Sequence, residues 1–170
     1  MLAKLFPDET ARSVYEVDYE ALYRAGFRLA VYDIDNTLVL HEEPATEQAA
    51  RLMEQLHAVG FRAAVLSNNH VPRVRSFAEA AGMDAWIADA GKPSPDGFRR
   101  LAEQMGVSLQ EMIFFGDQLF TDIWAARNAG VRSVLVNPVG PEIYAHIRLK
   151  RMLETPVLRL YRKNHPGFTL

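Results

Sequence analysis

One feature constrains this chain more than any other: a repeated alternation of short apolar runs with stretches of helical spacing. The runs are Arg28 to Tyr32, Arg62 to Leu66, Asp84 to Ala88, Met112 to Phe115 and Ser133 to Val136. Between them, Pro44 and Thr46 open a segment whose Ala49, Leu52, Met53, Leu56 and Val59 repeat at i, i+3, i+4 and i+7, stopped by Gly60. Val71 to Ala81 closes at Gly82. Ser94-Pro95-Asp96 starts a third helix, with Ser94 as cap and Pro95 in the first helical position, running through Phe98, Leu101, Ala102 and Met105 to Gly106. Thr121 to Ala129 closes at Gly130. Runs without polar alternation are strands buried on both faces, and strands alternating with helices of this length predict a doubly wound, Rossmann-like α/β fold with a parallel sheet of about five strands.

The length of 170 residues suits one core. Charge divides the chain unevenly. Residues 1–140 hold 13 Lys and Arg against 19 Asp and Glu, whereas residues 141–170 hold 6 against 2. The reading is an α/β domain over 1–140 and a basic C-terminal helix or tail over 141–170, packed on or beside the same domain. On a helical wheel from Ile143 to Leu153, Arg148, Arg151, His146 and Lys150 spread around most of the circumference, so no clean basic face opposes an apolar one.

In doubly wound sheets, ligands bind at the carboxyl ends of the strands. Asp33 and Asp35 follow the first run, Ser67, Asn68 and Asn69 the second, Lys92 the third and Asp117 the fourth, so all converge on one rim. Phosphoryl transfer needs a nucleophile, an acid for the leaving oxygen, a divalent cation and groups that offset charge on the equatorial oxygens. Asp33 fits as the attacking carboxylate and Asp35, two residues on, as the acid and base. Hard oxygen ligands suit Mg²⁺, for which Asp117 supplies a further carboxylate. Ser67 would donate to a phosphoryl oxygen and Lys92 would offset its charge.

Asp33-Ile34-Asp35-Asn36-Thr37, Ser67-Asn68-Asn69, Lys92-Pro93 and Gly116-Asp117 through Asp122 together resemble the haloacid dehalogenase superfamily of phosphatases over residues 28–136. The resemblance implies an aspartyl phosphate on Asp33. It also implies Mg²⁺ held by Asp33, the backbone carbonyl of Asp35 and Asp117, with Asp122 on the metal or on a water it binds. Thr37, Asn68 and Asn69 fall on the substrate side. Only 29 residues separate Thr37 from Ser67 and 24 separate Ser67 from Lys92, too few for a cap domain, so the site is expected to be open and the chain to be of the capless subclass III. Pro7-Asp8-Glu9, Asp35 to Val39, Ser67 to Asn69 and Gly116 to Asp122 are most similar to the YqeG-type branch, which itself resembles phosphatidylglycerophosphate phosphatases. Trp124 departs from the small residue expected there.

Plainer readings stand beside these. Ser67, Asn68 or Asn69 could be helix caps, Lys92 a solvated loop lysine, and Asp122 a carboxylate placed for a helix dipole. His41, His57 and His70 lack ligand spacing and read as solvent-facing, although His70 follows the Ser-Asn-Asn loop and could touch substrate. A receiver-like phosphoacceptor module would also use an acceptor Asp, a Ser or Thr, a Lys and Mg²⁺, but it lacks the acid two residues beyond the acceptor. Carbon–halogen hydrolysis needs neither a metal nor Asp35.

The expected substrate is a phosphomonoester, either a phosphatidylglycerophosphate-type lipid phosphate or a small soluble sugar phosphate or nucleotide. A net charge of −2 argues against nucleic acid, and the absence of Cys excludes thiolate chemistry. No apolar run reaches the length of a membrane span, so a cytoplasmic protein is expected, with peripheral contact at the inner membrane face through residues 141–170.

Overall fold

In the computed structural model, which describes residues 2–164 and the side chains of residues 4–163, every strand runs parallel in one sheet. The strands are β1 (Glu9–Ala11), β2 (Leu29–Tyr32), β3 (Arg62–Leu66), β4 (Ala85–Ile87), β5 (Met112–Gly116) and β6 (Arg132–Val136), in the order β1-β6-β5-β2-β3-β4. The chain winds outward from β2 through β3 to β4, then returns to β5 on the other side of β2. That reversal places a crevice at the carboxyl ends of β2 and β5.

The helices are α1 (Tyr19–Arg24), α2 (Glu47–Val59), α3 (Val71–Ala81), α4 (Asp96–Met105), α5 (Trp124–Ala129) and α6 (Ala145–Asn164). Side chains alternate across each strand, so β2 sends Ala30 and Tyr32 into a layer with Leu52, Met53 and Leu56 of α2 and Phe77 of α3. Leu29 and Val31 enter the opposite layer with Phe98 and Leu101 of α4 and Ala125 and Ala126 of α5. Covering both faces explains why β2 reads as an unbroken apolar run. α2 begins as its sequence predicts. Thr46 Oγ1 accepts the Ala49 N–H at 3.2 Å, and the helix ends at Gly60, whose φ of 106° lies in the left-handed region.

The structure corrects the sequence reading at several places. The sheet has six strands, because β1 adds to the edge of β6. Three residues with no apolar run carry no periodic signal, and β1 is held instead by polar bonds such as Asp8 N–H to the Ser133 carbonyl at 3.1 Å. α1 is also new, too short to show a period and started by Asp18, whose carboxylate accepts the Ala21 N–H at 2.9 Å. α4 begins at Asp96, with Pro95 in the cap position where Ser94 was expected; the Ser94 hydroxyl still accepts the Asp96 N–H at 3.3 Å. The stretch expected as one helix over Thr121 to Ala129 is a wide π-helical turn, Leu119–Ile123, leading into α5. Turns of this kind concentrate at functional sites. Trp124 is half-buried at the start of α5.

The C-terminal helix packs on the sheet domain. Val157 enters a cluster with Leu119, Ile123 and Leu135, and Glu154 and Tyr161 are buried on the same side. Among the described residues, no helix is long and apolar enough to cross a membrane.

Candidate active site

Asp33 stands one residue beyond β2, where its backbone N–H still bonds the Phe115 carbonyl of β5 at 3.0 Å. The chain then turns sharply. Asn36 takes a left-handed φ of 59°, a conformation that Asn tolerates better than most side chains. Its Oδ1 accepts the Gly140 N–H at 3.1 Å and its carbonyl accepts the Val139 N–H at 3.0 Å, so the segment after β6 is tied over the Asp33 to Thr37 turn. Thr37 is buried in that turn, and its hydroxyl has no partner among the described residues.

Ser67, Lys92, Asp117 and Asp122 come from three further connections and are all buried. Lys92 Nζ donates to Asp33 Oδ1 at 2.8 Å and to Asp122 Oδ1 at 2.6 Å. The Lys92 backbone is itself clamped by Asn68, which accepts its N–H at 2.8 Å and donates to its carbonyl at 3.1 Å. Asn69 donates to Asp35 Oδ2 at 2.5 Å, and its own N–H bonds Ser67 Oγ at 3.2 Å. None of the three is a helix cap, since α3 is entered through His70 with no side-chain cap. Nor is Lys92 a solvated lysine.

Burial pushes the Asp33 carboxyl up to about 6, with Lys92 pulling down and Asp122 pushing up. Burial also raises Asp117, despite the neighbouring Arg151 guanidinium. Burial alone would lower Lys92, but Asp122 and Asp33 outweigh it and raise the ammonium. Charges this close in a dry environment are each shifted by the others.

One carboxylate oxygen each from Asp33, Asp117 and Asp122 lies within 4.8 Å of the other two. Asp117 Oδ1 is buried and pairs with no described residue. An all-oxygen set with an orphaned buried acceptor fits a hard divalent cation. The Asp35 carboxylate stands outside that trio. Arg73 donates to its Oδ1 at 3.1 Å and the Glu42 N–H bonds the same oxygen at 3.0 Å.

Sequence reasoning missed a group of residues that frames this centre. Arg151 of α6 donates to both the carboxylate and the backbone carbonyl of Asp117. Glu154 accepts the N–H groups of Leu119 and Phe120 at 2.8 and 3.2 Å. Glu142 pairs at 2.7 Å with His41, which is largely buried rather than solvent-facing. A signal was present: Glu142 and Glu154 are the two acids in the basic segment 141–170, and both turn inward. His57 pairs with Asp84, and His70, exposed and bonded to Asp89, does not line the cleft.

The resulting cleft, about 290 Å³, is walled on one side by Tyr144, His146, Ile147 and Lys150. The intervals after Thr37 and after Ser67 hold only α2 with β3 and α3 with β4, so no cap domain is inserted. The site is nevertheless less open than that alone implies, because the C-terminal segment covers one flank.

A doubly wound sheet whose strand ends gather aspartates, a buried lysine and a hydroxyl around one cleft defines an α/β enzyme of phosphoryl chemistry. The model of the haloacid dehalogenase-like hydrolases matches residues 10–130. The chain is 32% identical over 168 residues to "Probable phosphatase YqeG" of Bacillus subtilis, covering 97% of each. It is 32% identical over 147 residues to "Phosphatidylglycerophosphate phosphatase 1, chloroplastic" of Chlamydomonas reinhardtii, covering 78% of this chain and about half (53%) of that protein. The YrbI phosphatase of Haemophilus influenzae, solved in a cobalt-bound form, superposes with a TM-score of 0.51 at 18% identity, covering 85% of this chain and 94% of that one. The chain belongs to the haloacid dehalogenase-like hydrolase family and is a phosphatase, a phosphoric monoester hydrolase without a cap domain.

Proposed function

We propose that the enzyme removes phosphate from a phosphomonoester through an aspartyl phosphate on Asp33. The observation that carries this reading is the single buried cluster of Asp33, Lys92, Asp122 and Asp117 at the strand ends. Asp33 attacks phosphorus while the ester P–O bond breaks, and Asp35 hands a proton to the departing alkoxide. Asp35 then takes a proton from water as it attacks the phosphoenzyme, releasing inorganic phosphate and regenerating Asp33. Ser67 and Lys92 stabilise the transferring oxygens, and Asn68 and Asn69 fix Lys92 and Asp35 in place. Asp33 and Asp117 with the Asp35 carbonyl would hold Mg²⁺, and Asp122 would complete the set; when bound, the ion neutralises charge on the phosphoryl group.

The substrate reading is a glycerophospholipid phosphate met at a membrane surface on the cytoplasmic side. Two relatives with phosphatidylglycerophosphate phosphatase names support it, as does α6. With its inward face taken by Glu154, Val157 and Tyr161, α6 exposes Leu149, Met152, Leu153 and Leu160. Along this stripe stand the exposed Arg148, Arg159, Arg162 and Lys163. At 3.6 residues per turn Arg148, Arg159 and Arg162 fall to one side of the stripe and Lys163 falls within it. Each cation near an anionic surface adds about 1 kcal/mol.

The test is hydrolysis of an aryl phosphate with and without Mg²⁺, alongside binding to vesicles of anionic lipid. Turnover should require Mg²⁺ and vanish in Asp33→Asn, and Asp35→Asn should accumulate phosphoenzyme from a substrate with a good leaving group. Full turnover by folded Asp33→Asn overturns the mechanism. A soluble sugar phosphate or nucleotide used far more efficiently than the lipid, with no vesicle binding at low salt, overturns the substrate reading and leaves the chemistry standing.

A further inference from the structure

We infer that Lys150 is a specificity residue, recognising a second anionic group carried on the leaving alcohol of the substrate. The inference rests on the phosphatase reading above and names a feature of the substrate that the strand-end chemistry does not require.

The cations around the cleft are almost all committed. Lys92 is held between Asp33 and Asp122, Arg73 bonds Asp35, and Arg151 bonds Asp117. Lys150 differs. It lines the same cleft, is half-buried, and makes no hydrogen bond or ion pair with any described residue. An ammonium drawn partly out of water without a counter-charge costs free energy, and a ligand anion removes that cost.

Position says which part of a ligand Lys150 meets. In-line attack by Asp33 sends the leaving oxygen away from the strand ends, toward the mouth of the cleft. The wall there comes from the C-terminal segment, where His146, Ile147 and Lys150 share one helix face at i, i+1 and i+4 spacing, next to Tyr144. This wall is anchored, since Tyr144 donates to Glu42 and Glu142 pairs with His41. A leaving alcohol lying against it meets a ring, an aliphatic side chain and one uncommitted positive charge. The fitting chemistry is a short polyol ester bearing a further phosphate or phosphodiester.

The test compares three soluble substrates with Mg²⁺ present: glycerol 1-phosphate, glycerol 1,3-bisphosphate, and glycerophosphoglycerol phosphate, whose second anion is a diester. Wild type should favour the two doubly anionic substrates by roughly tenfold or more in kcat/KM, mostly through KM, with the preference shrinking as salt rises. Lys150→Gln should collapse that ratio toward one and Lys150→Arg should restore much of it, which loss of packing alone would not produce. Preference for the bisphosphate alone assigns the subsite to a free phosphate, and preference for the diester assigns it to a lipid head group. An equal loss on all three substrates in Lys150→Gln, or an unchanged ratio, overturns the inference. Hydrolysis of none of the three by wild type, nor of an aryl phosphate, overturns the phosphatase reading itself.

Discussion

Gly116 passes so close to Asp122 that a Cβ on the glycine would lie 2.5 Å from the Asp122 Cβ and 2.7 Å from its Cγ. The last residue of β5 therefore has to be glycine for Asp122 to fold back from the π-helical turn onto Lys92. Gly116→Ala is expected to push Asp122 off its 2.6 Å contact with Lys92. Overpacking of this kind costs about 1–3 kcal/mol of stability. Displacement of a site group by a fraction of an ångström costs on the order of tenfold to a hundredfold in turnover. Thermal unfolding and kcat on the same preparation check both; full activity would show that the carboxylate position is not critical.

Asp33 illustrates a cost that the site imposes on the fold. Burial holds its carboxyl up at about 6, against an ordinary aspartate value of 3.8. A group raised in this way lends stability below its unfolded pKa and loses it as pH rises through the folded value. In metal-free protein, Asp33→Asn is therefore expected to unfold at a higher temperature than wild type. The gap should open between about pH 4 and 6.5 and stay level above. Melting curves across this range with a chelator present measure it. A variant no more stable than wild type at pH 7.5 would mean that Lys92 offsets the burial of the carboxylate in full.

How far the sequence reaches follows from where each signal resides. β3 and α3 lie where the apolar runs and helical spacing put them, because period and burial are local properties written in consecutive residues. Asp33, Asp35, Ser67, Lys92 and Asp117 could be brought to one rim because a parallel sheet sends every strand end the same way. Asn36, Arg151 and Glu154 could not be placed. Their partners lie tens of residues away or more, as with Glu154 and Leu119, and nothing in local spacing encodes how α6 folds back. β1 was missed for a related reason: three half-buried residues on an edge depend on Asp8 and Ser133 for their position.

That Asp8 contact supports a prediction of its own. Burial alone would raise the Asp8 carboxyl, but the Ser133 hydroxyl and N–H, at 2.8 and 2.9 Å, and the Arg127 guanidinium more than offset this and lower it. Asp8→Ala leaves the buried Ser133 N–H without that acceptor and should cost about 1–3 kcal/mol. The stability Asp8 lends is complete above the ordinary carboxylate range and is lost as pH falls through its lowered native value. The difference between wild type and Asp8→Ala should accordingly persist at pH 5 and close only in stronger acid. Denaturant midpoints at several pH values decide it, and a difference already gone at pH 5 would contradict the lowered carboxyl.

The last prediction concerns what α6 does for the catalytic loop. Glu154 is 1% exposed and accepts two N–H groups from the turn that runs between Asp117 and Asp122. Burial raises its carboxyl, against the pull of Arg151 and of those amides, so the charge itself is a burden and the acceptor oxygen is what the turn uses. Glu154→Ala strands both N–H groups, at about 1–3 kcal/mol for a buried unsatisfied donor, and frees the loop that carries two members of the aspartate trio. Unfolding should then begin several degrees lower, and Mg²⁺ should bind several-fold more weakly in calorimetry, because the carboxylates no longer hold their spacing. Glu154→Gln keeps an acceptor oxygen within reach of the same amides and should retain most of both properties. If Gln proves as damaging as Ala, the negative charge beside Arg151 matters more than the two hydrogen bonds; if neither variant alters Mg²⁺ affinity, the turn keeps its shape without α6.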